Sequence, residues 1–360
     1  MLVVASAALC LVPEPRRLAN DDGRSVRAKV IAVDNANLEK LGLLDYGSQH
    51  LTVEILDGAE KGRIFKAGNE VRAQLDIDKI FAPGDTATVV IPPGGAKEGE
   101  ALVARDHWRN GWGLTFFAGF CALLCWFGGW TGAKALFSFV FSCLVVWKGV
   151  VPLCLMGWPA SWTVFGAVCM LTAVIMYLVA GPTRKGLTAF AGAILGVFAG
   201  LALAHVFGRL MHINGATLPY VQALLNSGYE SLDLPDIFIG AAVLASSGAV
   251  MDLAMDVAAG VDEVARRNPE LSGRELWRSG ARIGRSVVGT MTTTLLLAYS
   301  GGYITLLMVF CAQGTKPADF LNSTLVSAET VKTLVGSFSL VFVAPCTAFV
   351  GAFILKGKRT

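Results

Sequence analysis

The sequence has little charge for its length. Only 16% of the 360 residues are charged and 54% are hydrophobic, which excludes an ordinary soluble protein of this size. No basic cluster is interleaved with aromatic residues, so we predict no nucleic-acid partner. There is no HExxH sequence, and Cys121 and Cys125 have no nearby His or Cys that would complete a zinc site. We therefore predict neither a metal site nor any other cofactor.

Cysteine is missing from residues 24–106. Most of the eight cysteines lie in apolar runs, where a thiol packs as a small hydrophobic group. The chain also begins without a basic segment. Its first residues, MLVVASAALCLVPEP, are apolar for only about a dozen positions, too few to span a bilayer. Residues 1–23 are therefore predicted to be a truncated signal sequence or membrane anchor, followed by a linker.

Residues 24–106 carry short segments that are typical of strands and not of helices. The segments are rich in β-branched residues and are bounded by Gly, Pro and Asp: SVRAKVIAV, HLTVEIL, GRIFKAG and DTATVVIP. DGAEKG at 57–62 predicts a hairpin turn, and PGD at 83–85 predicts the turn into the next strand. We predict a small all-β domain, a barrel or a sandwich of about five or six strands, outside the cytoplasm.

The remainder of the chain, 107–360, is a series of apolar segments separated by polar loops. We predict about seven membrane-spanning helices, each near the roughly 20 residues that a bilayer core requires. The predicted spans are 111–130, 135–157, 160–181, 187–210, 236–257, 286–310 and 335–355. The predicted fold class is therefore an α-helical membrane bundle with a small N-terminal all-β domain.

Basic residues in the loops predict the orientation in the membrane. With seven spans and the β domain outside, 12 of the 16 Lys and Arg residues after Trp112 fall on the opposite side. They are Lys134, Arg184, Lys185, Arg266, Arg267, Arg274, Arg278, Arg282, Arg285, Lys356, Lys358 and Arg359. The positive-inside rule makes that side cytoplasmic, together with the C-terminus.

Two acidic residues lie at the end of the fifth predicted span, in GAVMDLAMDVAAGVDEV (248–264). Asp252 and Asp256 are one helical turn apart, on a face that includes Gly248. An ionised carboxylate costs a few kcal/mol in hydrocarbon, so we expect this face to turn towards protein or water. Small residues such as Gly248 allow a second helix to approach closely.

The sixth predicted span offers a matching face. Ser272 lies three residues before Glu275, a capping-box pattern that predicts a helix start, and residues from Arg278 to Tyr299 recur at helical spacing. Gly284 and Gly289 of this helix are, like Gly248, predicted to allow close helix packing. The candidate polar residues on it are Arg285, Thr290, Thr292, Thr294 and Tyr299. We predict that these residues face the two aspartates in a polar seam. The alternative interpretation is a structural ion pair with hydrogen-bonding threonines near the cytoplasmic rim.

Two segments resemble the signature of YibE/F-like bacterial membrane proteins. They are GAVMDLAMDVAAGVDEV (248–264) and LWRSGARIGRSVVGTMTTTLLLAYSGG (276–302). The resemblance extends over residues 24–305 and includes GSQHLTVEILDGAEKGRIF, PGDTATVVI, DHWRN and VPLCLMGWPA. It implies a multi-pass protein of the bacterial cytoplasmic membrane with an exported N-terminal module. The family pattern carries over to Gly248, Asp252, Gly284, Arg285, Gly289, Thr290 and Tyr299. It implies no particular substrate.

Two functions of different classes remain. Charged residues within spans favour an integral membrane transporter or permease for an ion or a small molecule. The alternative is a non-catalytic scaffold or accessory subunit whose β domain binds a protein partner while the bundle lies in the lipid bilayer. We expect no enzyme, because aspartyl chemistry needs two carboxyls from separate positions and 286–310 contains no Asp.

Overall fold

The computed structural model describes residues 23–75, 77–95 and 101–356. The predicted signal or anchor at residues 1–22 and the basic residues Lys358 and Arg359 lie outside the described residues. The described chain forms two compact units that divide between Leu123 and Leu124. The first unit contains the strands, and the second contains most of the helices.

The N-terminal all-β domain is confirmed as a closed barrel of five strands. The strands are β1 (Arg24–Leu41), β2 (Leu44–Ile55), β3 (Ile64–Arg72), β4 (Thr86–Ile91) and β5 (Leu102–His107). Their order around the barrel is β1-β2-β3-β5-β4, with β3 parallel to β5 and the other pairs antiparallel. Both predicted turns join strands as expected, while β5 was not among the predicted segments.

The barrel closes because alternate residues of each strand are apolar. On β1 the residues Val26, Ala28 and Val30 are buried, and the intervening side chains are largely exposed. Leu51, Val53 and Ile55 of β2 follow the same period of two and meet them in the core. This alternation fixes the register, since a slip of one residue would move every apolar side chain to the outside.

The helical part follows directly after β5. Its helices are α1 (Asn110–Leu144), α2 (Val151–Leu155), α3 (Ala160–Ala180), α4 (Arg184–Leu210), α5 (Val221–Asn226), α6 (Leu234–Arg267), α7 (Gly273–Gly302), α8 (Ile304–Ala312), α9 (Pro317–Asn322) and α10 (Thr324–Ile354). A π-helical segment, Val145–Val150, joins α1 to α2. The capping box at Ser272 and Glu275 forms as predicted and begins α7. This helix runs into the predicted span 286–310 and ends within it, at Gly302.

Five helical segments of the described chain are long and apolar enough to cross a membrane. They are Asn110–Leu155, Ala160–Ala180, Arg184–Leu210, Leu234–Arg267 and Thr324–Ile354. A sixth arises if α7 and α8, which meet at a bend of 64°, are counted as one span. The expected bundle of membrane helices is thus present, with five or six spans by length and composition instead of the seven expected.

The segment Asn110–Leu155 contains a sharp break where two separate spans were expected. Gly129 has φ 52° and ψ −130°, which are not helical angles and which a residue with a side chain rarely adopts. The carbonyl oxygen of Leu124 lies so close to Gly132 that a Cβ at Gly132 would overlap it. In a straight helix these residues would be about 12 Å apart, so the chain turns back at Gly129.

The core of the helical unit is built around α6 and α10. α10 packs against α4, α6 and α7, while α6 also packs against α3. Close contact of α4 with α10 depends on glycines of α4 that are spaced by four residues and share one face. A Cβ at Gly196 would lie 2.7 Å from Cβ of Val343, and a Cβ at Gly200 would overlap the Ser339 hydroxyl. Only glycine allows this interhelical distance.

Basic residues collect at one end of the helical unit. The α3–α4 loop, the α6–α7 loop and the end of α10 surround a cavity of about 590 Å³ there. Arg184, Lys185, Arg266 and Lys356 are among its lining residues. Three of the segments that were expected on one side of the membrane, those that follow α3 and α6 and the end of α10, therefore meet at one end of the bundle.

Candidate functional site

The two aspartates of the predicted seam lie on the side of α6 away from the core. Leu253, Ala254 and Val257 of α6 are completely buried, and the intervening Asp252 and Asp256 are exposed. Neither carboxylate makes an ion pair or a hydrogen bond with any residue of the described ranges. The two carboxylates are one helical turn apart, so their charges repel each other when both are ionised.

Arg285 lies on the other side of α7 from these carboxylates. Ile283 contacts α6, since a Cβ at Gly260 of α6 would meet its side chain. Arg285 is two residues further along and is therefore rotated by about 200° around the helix axis. It lines, with two other arginines of α7, a groove of about 680 Å³ against α10. The predicted pairing of Arg285 with the aspartates is therefore wrong, because the rotation of α7 about its axis directs Arg285 towards α10.

The predicted threonines divide between two surfaces. Thr290 and Thr294 are exposed, and each hydroxyl donates to a carbonyl of its own helix, at 2.9 Å to Val287 and 3.0 Å to Thr290. Thr290 follows Ile283 by seven residues, two helical turns, so it lies on the side of α7 that faces α6. Thr294 follows one turn later, so both threonines lie on the side of α7 that faces the helix of the aspartates.

Thr292 and Tyr299 point into the bundle instead. The hydroxyl oxygens of both side chains are buried and have no hydrogen-bond partner among the residues that the structure describes. The Tyr299 hydroxyl lies beside Gly336 of α10, 3.6 Å from the place of a Cβ there. Ser246 of α6 reaches the same glycine. These two seam residues thus belong to the junction of α6, α7 and α10.

The three predicted close-packing glycines have different surroundings. A Cβ at Gly284 would lie 2.7 Å from Cβ of Ala344 on α10, so this glycine does lie in a tight helix contact. At Gly248 and Gly289 no described atom lies within 4 Å of such a Cβ. The prediction of close packing is corrected for these two positions, because both face away from the neighbouring helices of this chain.

One ion pair near the start of the candidate membrane helix α10 was not predicted from the sequence. Lys332 and Glu329 of α10 are 2.5 Å apart, each with about a fifth of its side chain exposed. The Lys332 ammonium also lies 5.9 Å from the ring centroid of Phe238 on α6. The predicted span began only at 335, whereas α10 begins at Thr324 and draws the pair into the bundle. The spacing of three residues between the opposite charges was the available signal.

A second polar group lies at the end of the helical unit away from the basic residues. His205 of α4 and Asp236 of α6 approach to 3.8 Å, Nε2 to Oδ1, and Asp236 accepts a hydrogen bond from the amide of Ser161 on α3. These residues come from three predicted spans, so their sequence separation conceals the contact. Over the described chain, no group of three or more His, Cys, Asp or Glu side chains is arranged to hold a metal ion.

Comparison with known proteins gives one match. Residues 116–357 match a family model described as YibE/F-like protein. This range covers α2 to α10 and most of α1, including both candidate helices. No curated protein and no solved structure matches the chain.

Proposed function

We propose that this chain, which belongs to the YibE/F-like protein family, is an integral membrane transporter or permease. The apolar helices support a membrane-embedded protein. The transport function rests on the outer polar face, which we define as Gly248, Asp252, Asp256, Thr290 and Thr294. The single observation that carries the proposal is the pair of exposed carboxylates on a membrane helix, neither with a partner among the described residues.

Contact between the outer polar face and lipid is energetically unfavourable. A carboxylate in hydrocarbon costs a few kcal/mol, and two carboxylates one turn apart add their mutual repulsion. Water, a passing cation or proton, or a second protein surface removes this cost. Gly248 and the neighbouring Ala245 present no bulky side chain, so they leave room for such an occupant along α6.

Hydroxyl groups border the same edge. Thr290 and Thr294 of α7 lie on the side that faces α6, and their oxygens keep free lone pairs while donating to their own helix. An ion that leaves water can be bound by such oxygens and by the carboxylates. We infer a pathway along the α6–α7 edge for a proton or a small cation.

The proposal includes seven spans and a defined orientation. Division of Asn110–Leu155 at Gly129 and treatment of α7 with α8 as one bent span bring the number from five to seven. The basic loops at one end of the helical unit then lie in the cytoplasm by the positive-inside rule. The barrel and the α8–α9 connection lie on the other side of a bacterial cytoplasmic membrane.

Proton flux into proteoliposomes tests the pathway. Purified full-length protein is reconstituted into liposomes that contain a pH-sensitive dye, and a potassium gradient with valinomycin supplies the driving force. We expect protein-dependent acidification, and we expect Asp252→Asn to reduce its rate by about tenfold or more, the effect of losing an interaction with a charged group.

Asp319→Asn is the matched control, because Asp319 is exposed on α9, away from the outer polar face. Flux in this variant should equal that of the wild type. A rate for Asp252→Asn equal to that of the wild type would contradict a role for the carboxylate. Repetition with sodium and potassium as the measured ions separates proton transport from cation transport.

We keep a non-catalytic scaffold as the second candidate function, because one end of the barrel is apolar. The β1–β2 hairpin exposes Leu41, Leu43 and Tyr46, with Leu43 97% exposed. Leu75 in the loop after β3 is also exposed, and Tyr46 pairs with Arg72 at the end of that strand. An apolar patch of this kind is typical of a protein-binding surface.

A single substitution separates the scaffold from the transporter. If the barrel binds a protein partner, Leu43→Asp should remove a stoichiometric partner that co-purifies with the wild type and should leave proton flux unchanged. Lys61→Asp, in the turn at the other end of β2, is the matched control. Retention of the partner by Leu43→Asp would contradict this candidate function.

A further inference from the structure

A cavity of about 360 Å³ lies at the end of the helical unit away from the basic residues. The starts of α3 and α6 and the ends of α2 and α4 surround it. Its acidic, hydroxyl and aromatic lining side chains include Trp158, Ser161, Trp162, His205, Asp233 and Asp236. No Lys or Arg is present among the described lining residues, so the two carboxylates set the charge of the cavity.

The tautomer of His205 follows from its hydrogen bond. Its Nδ1 lies 3.0 Å from the carbonyl oxygen of Leu201, one turn earlier in α4. A carbonyl oxygen can only accept a hydrogen bond, so Nδ1 carries the proton. In the neutral ring Nε2 then has a lone pair, and this lone pair faces Asp236 across the cavity wall.

Asp236 presents a second acceptor to the same space. Its Oδ2 accepts a hydrogen bond from the amide of Ser161 at 3.1 Å, while Oδ1 lies 3.8 Å from Nε2 of His205. A separation of 3.8 Å is too long for a hydrogen bond. One positively charged donor beside these two acceptors can bond to both of them, because it carries more than one N–H group.

Ser161 adds a third polar group without a partner. The residue is completely buried, and within the described chain its hydroxyl oxygen has no hydrogen-bond partner. A buried hydroxyl without a partner costs about 1–3 kcal/mol, unless an occupant of the cavity bonds to it. Because Ser161 lines the cavity beside Asp236, an occupant there can restore the missing bond.

We propose that this cavity binds a small organic primary ammonium ion. Such an ion carries three N–H donors and one positive charge, which match the three acceptors: Nε2 of His205, Oδ1 of Asp236 and Oγ of Ser161. The negative charge of the cavity attracts it, and the indole rings of Trp158 and Trp162 can cover its organic part. This site is separate from the outer polar face and does not depend on transport.

Binding of propylammonium to the purified full-length protein in lipid nanodiscs tests the site. We expect saturable binding of propylammonium chloride by isothermal titration calorimetry and no saturable binding of 1-propanol, the neutral analogue. Tetramethylammonium has the charge without N–H donors, so its affinity should be at least about tenfold lower, the effect of losing hydrogen bonds to a charged group. Absence of propylammonium binding, or equal affinity for tetramethylammonium, would overturn the proposal.

Substitutions locate the binding in this cavity. Asp236→Asn should lower the affinity by about tenfold or more, since it removes the charge that the ammonium ion faces. Ser161→Ala should lower it about fivefold and should preserve the fold, because that hydroxyl bonds to no described group. Asp319→Asn, which removes an exposed carboxylate from α9, should bind as the wild type does. An unchanged affinity in Ser161→Ala would overturn the assignment to this cavity.

Discussion

The side-chain amide of Gln49 organises the interior of the barrel. This residue is completely buried on β2. Its Nε2 donates to Oδ1 of Asn35 at 2.8 Å and to the carbonyl of Phe81 at 3.2 Å. Its Oε1 accepts from Nδ2 of Asn69 at 2.9 Å and from the amide of Phe81 at 3.0 Å. One side-chain amide therefore joins β2 to β1, to β3 and to the segment before β4.

Gln49→Leu should destabilise the barrel by about 1–3 kcal/mol or more. The substitution keeps the volume but leaves the amide of Phe81 buried without a partner. It also removes one of the two acceptors of Nδ2 of Asn69, which keeps its bond to the carbonyl of Lys79. Calorimetric unfolding of the full-length protein in detergent measures the loss. Gln74→Leu, at an exposed position, is the control and should leave the transition unchanged. A loss of equal size in both variants would contradict the role of the Gln49 network.

Asp78 makes the stability of the barrel depend on pH. Its carboxylate accepts hydrogen bonds from the amides of Arg72, at 3.0 Å, and Gln74, at 2.6 Å. These bonds lower the pKa of Asp78 in the folded protein, and the bond from the Arg72 amide has the largest effect. The lowered pKa means that this contribution to stability is present at neutral pH and is lost as the pH falls below about 4, towards and through the folded pKa.

Asp78→Asn should therefore lower the barrel transition temperature at pH 7. The difference from the wild type should shrink as the pH falls below about 4, where the wild-type carboxylate also takes up a proton. Calorimetry of the full-length protein at several pH values measures this change. A difference that stays constant down to the lowest pH would show that the charge of Asp78 contributes nothing.

At the scale of the helices, glycine determines which helices approach closely. Among the glycines of α6 and α7 that were predicted to pack closely, only Gly284 has a close neighbour. The closest packing occurs instead between α4 and α10, at the four-residue glycine spacing of GAILGVFAG. Small residues at this spacing were a readable signal for a helix contact, but the partner helix could not be read from it.

Gly196→Leu should separate α4 from α10. A leucine has no space at this position, since even a Cβ would lie 2.7 Å from Val343. Overpacking of this kind costs about 1–3 kcal/mol or more, and thermal unfolding in detergent measures it. Gly166→Leu on α3 is the matched control, because no described atom lies within 4 Å of a Cβ there. Equal stability of Gly196→Leu and the control would contradict the contact.

At the scale of the whole molecule, the proposed topology can be tested from both sides of the membrane. Single cysteines replace Lys61 in the barrel, Gln313 after α8 and Arg274 at the basic end, in a background without other cysteines. We expect a membrane-impermeant maleimide to label positions 61 and 313 in intact cells. Position 274 should react only after permeabilisation, because the positive-inside rule places it in the cytoplasm.

Each alternative topology gives a different labelling pattern. Labelling of position 274 alone in intact cells would reverse the proposed orientation. Labelling of 61 without 313 would mean that α7 and α8 do not cross together, in which case the 64° bend belongs to a re-entrant pair. Either pattern would also remove the topological basis for a pathway along α6 and α7.

The sequence by itself determined the class of the protein, the family, the presence of a small N-terminal β domain and most helix positions. These follow from local patterns: alternation with period two in the strands, apolar runs of membrane length and the capping box at Ser272. The same patterns placed Asp252 and Asp256 on one face of one helix. They do not define how α7 is rotated about its axis relative to α6 and α10, so Arg285 was assigned to the wrong neighbouring helix.

Only the tertiary structure decided which faces meet. It directs Arg285 to α10, leaves the two aspartates at an outer edge and brings His205, Asp236 and Ser161 together from three helices. The physical reason is that helical periodicity defines a face only relative to its own axis. The rotation of each helix is set by interhelical contacts, such as that of Gly196 with Val343, between residues far apart in the chain.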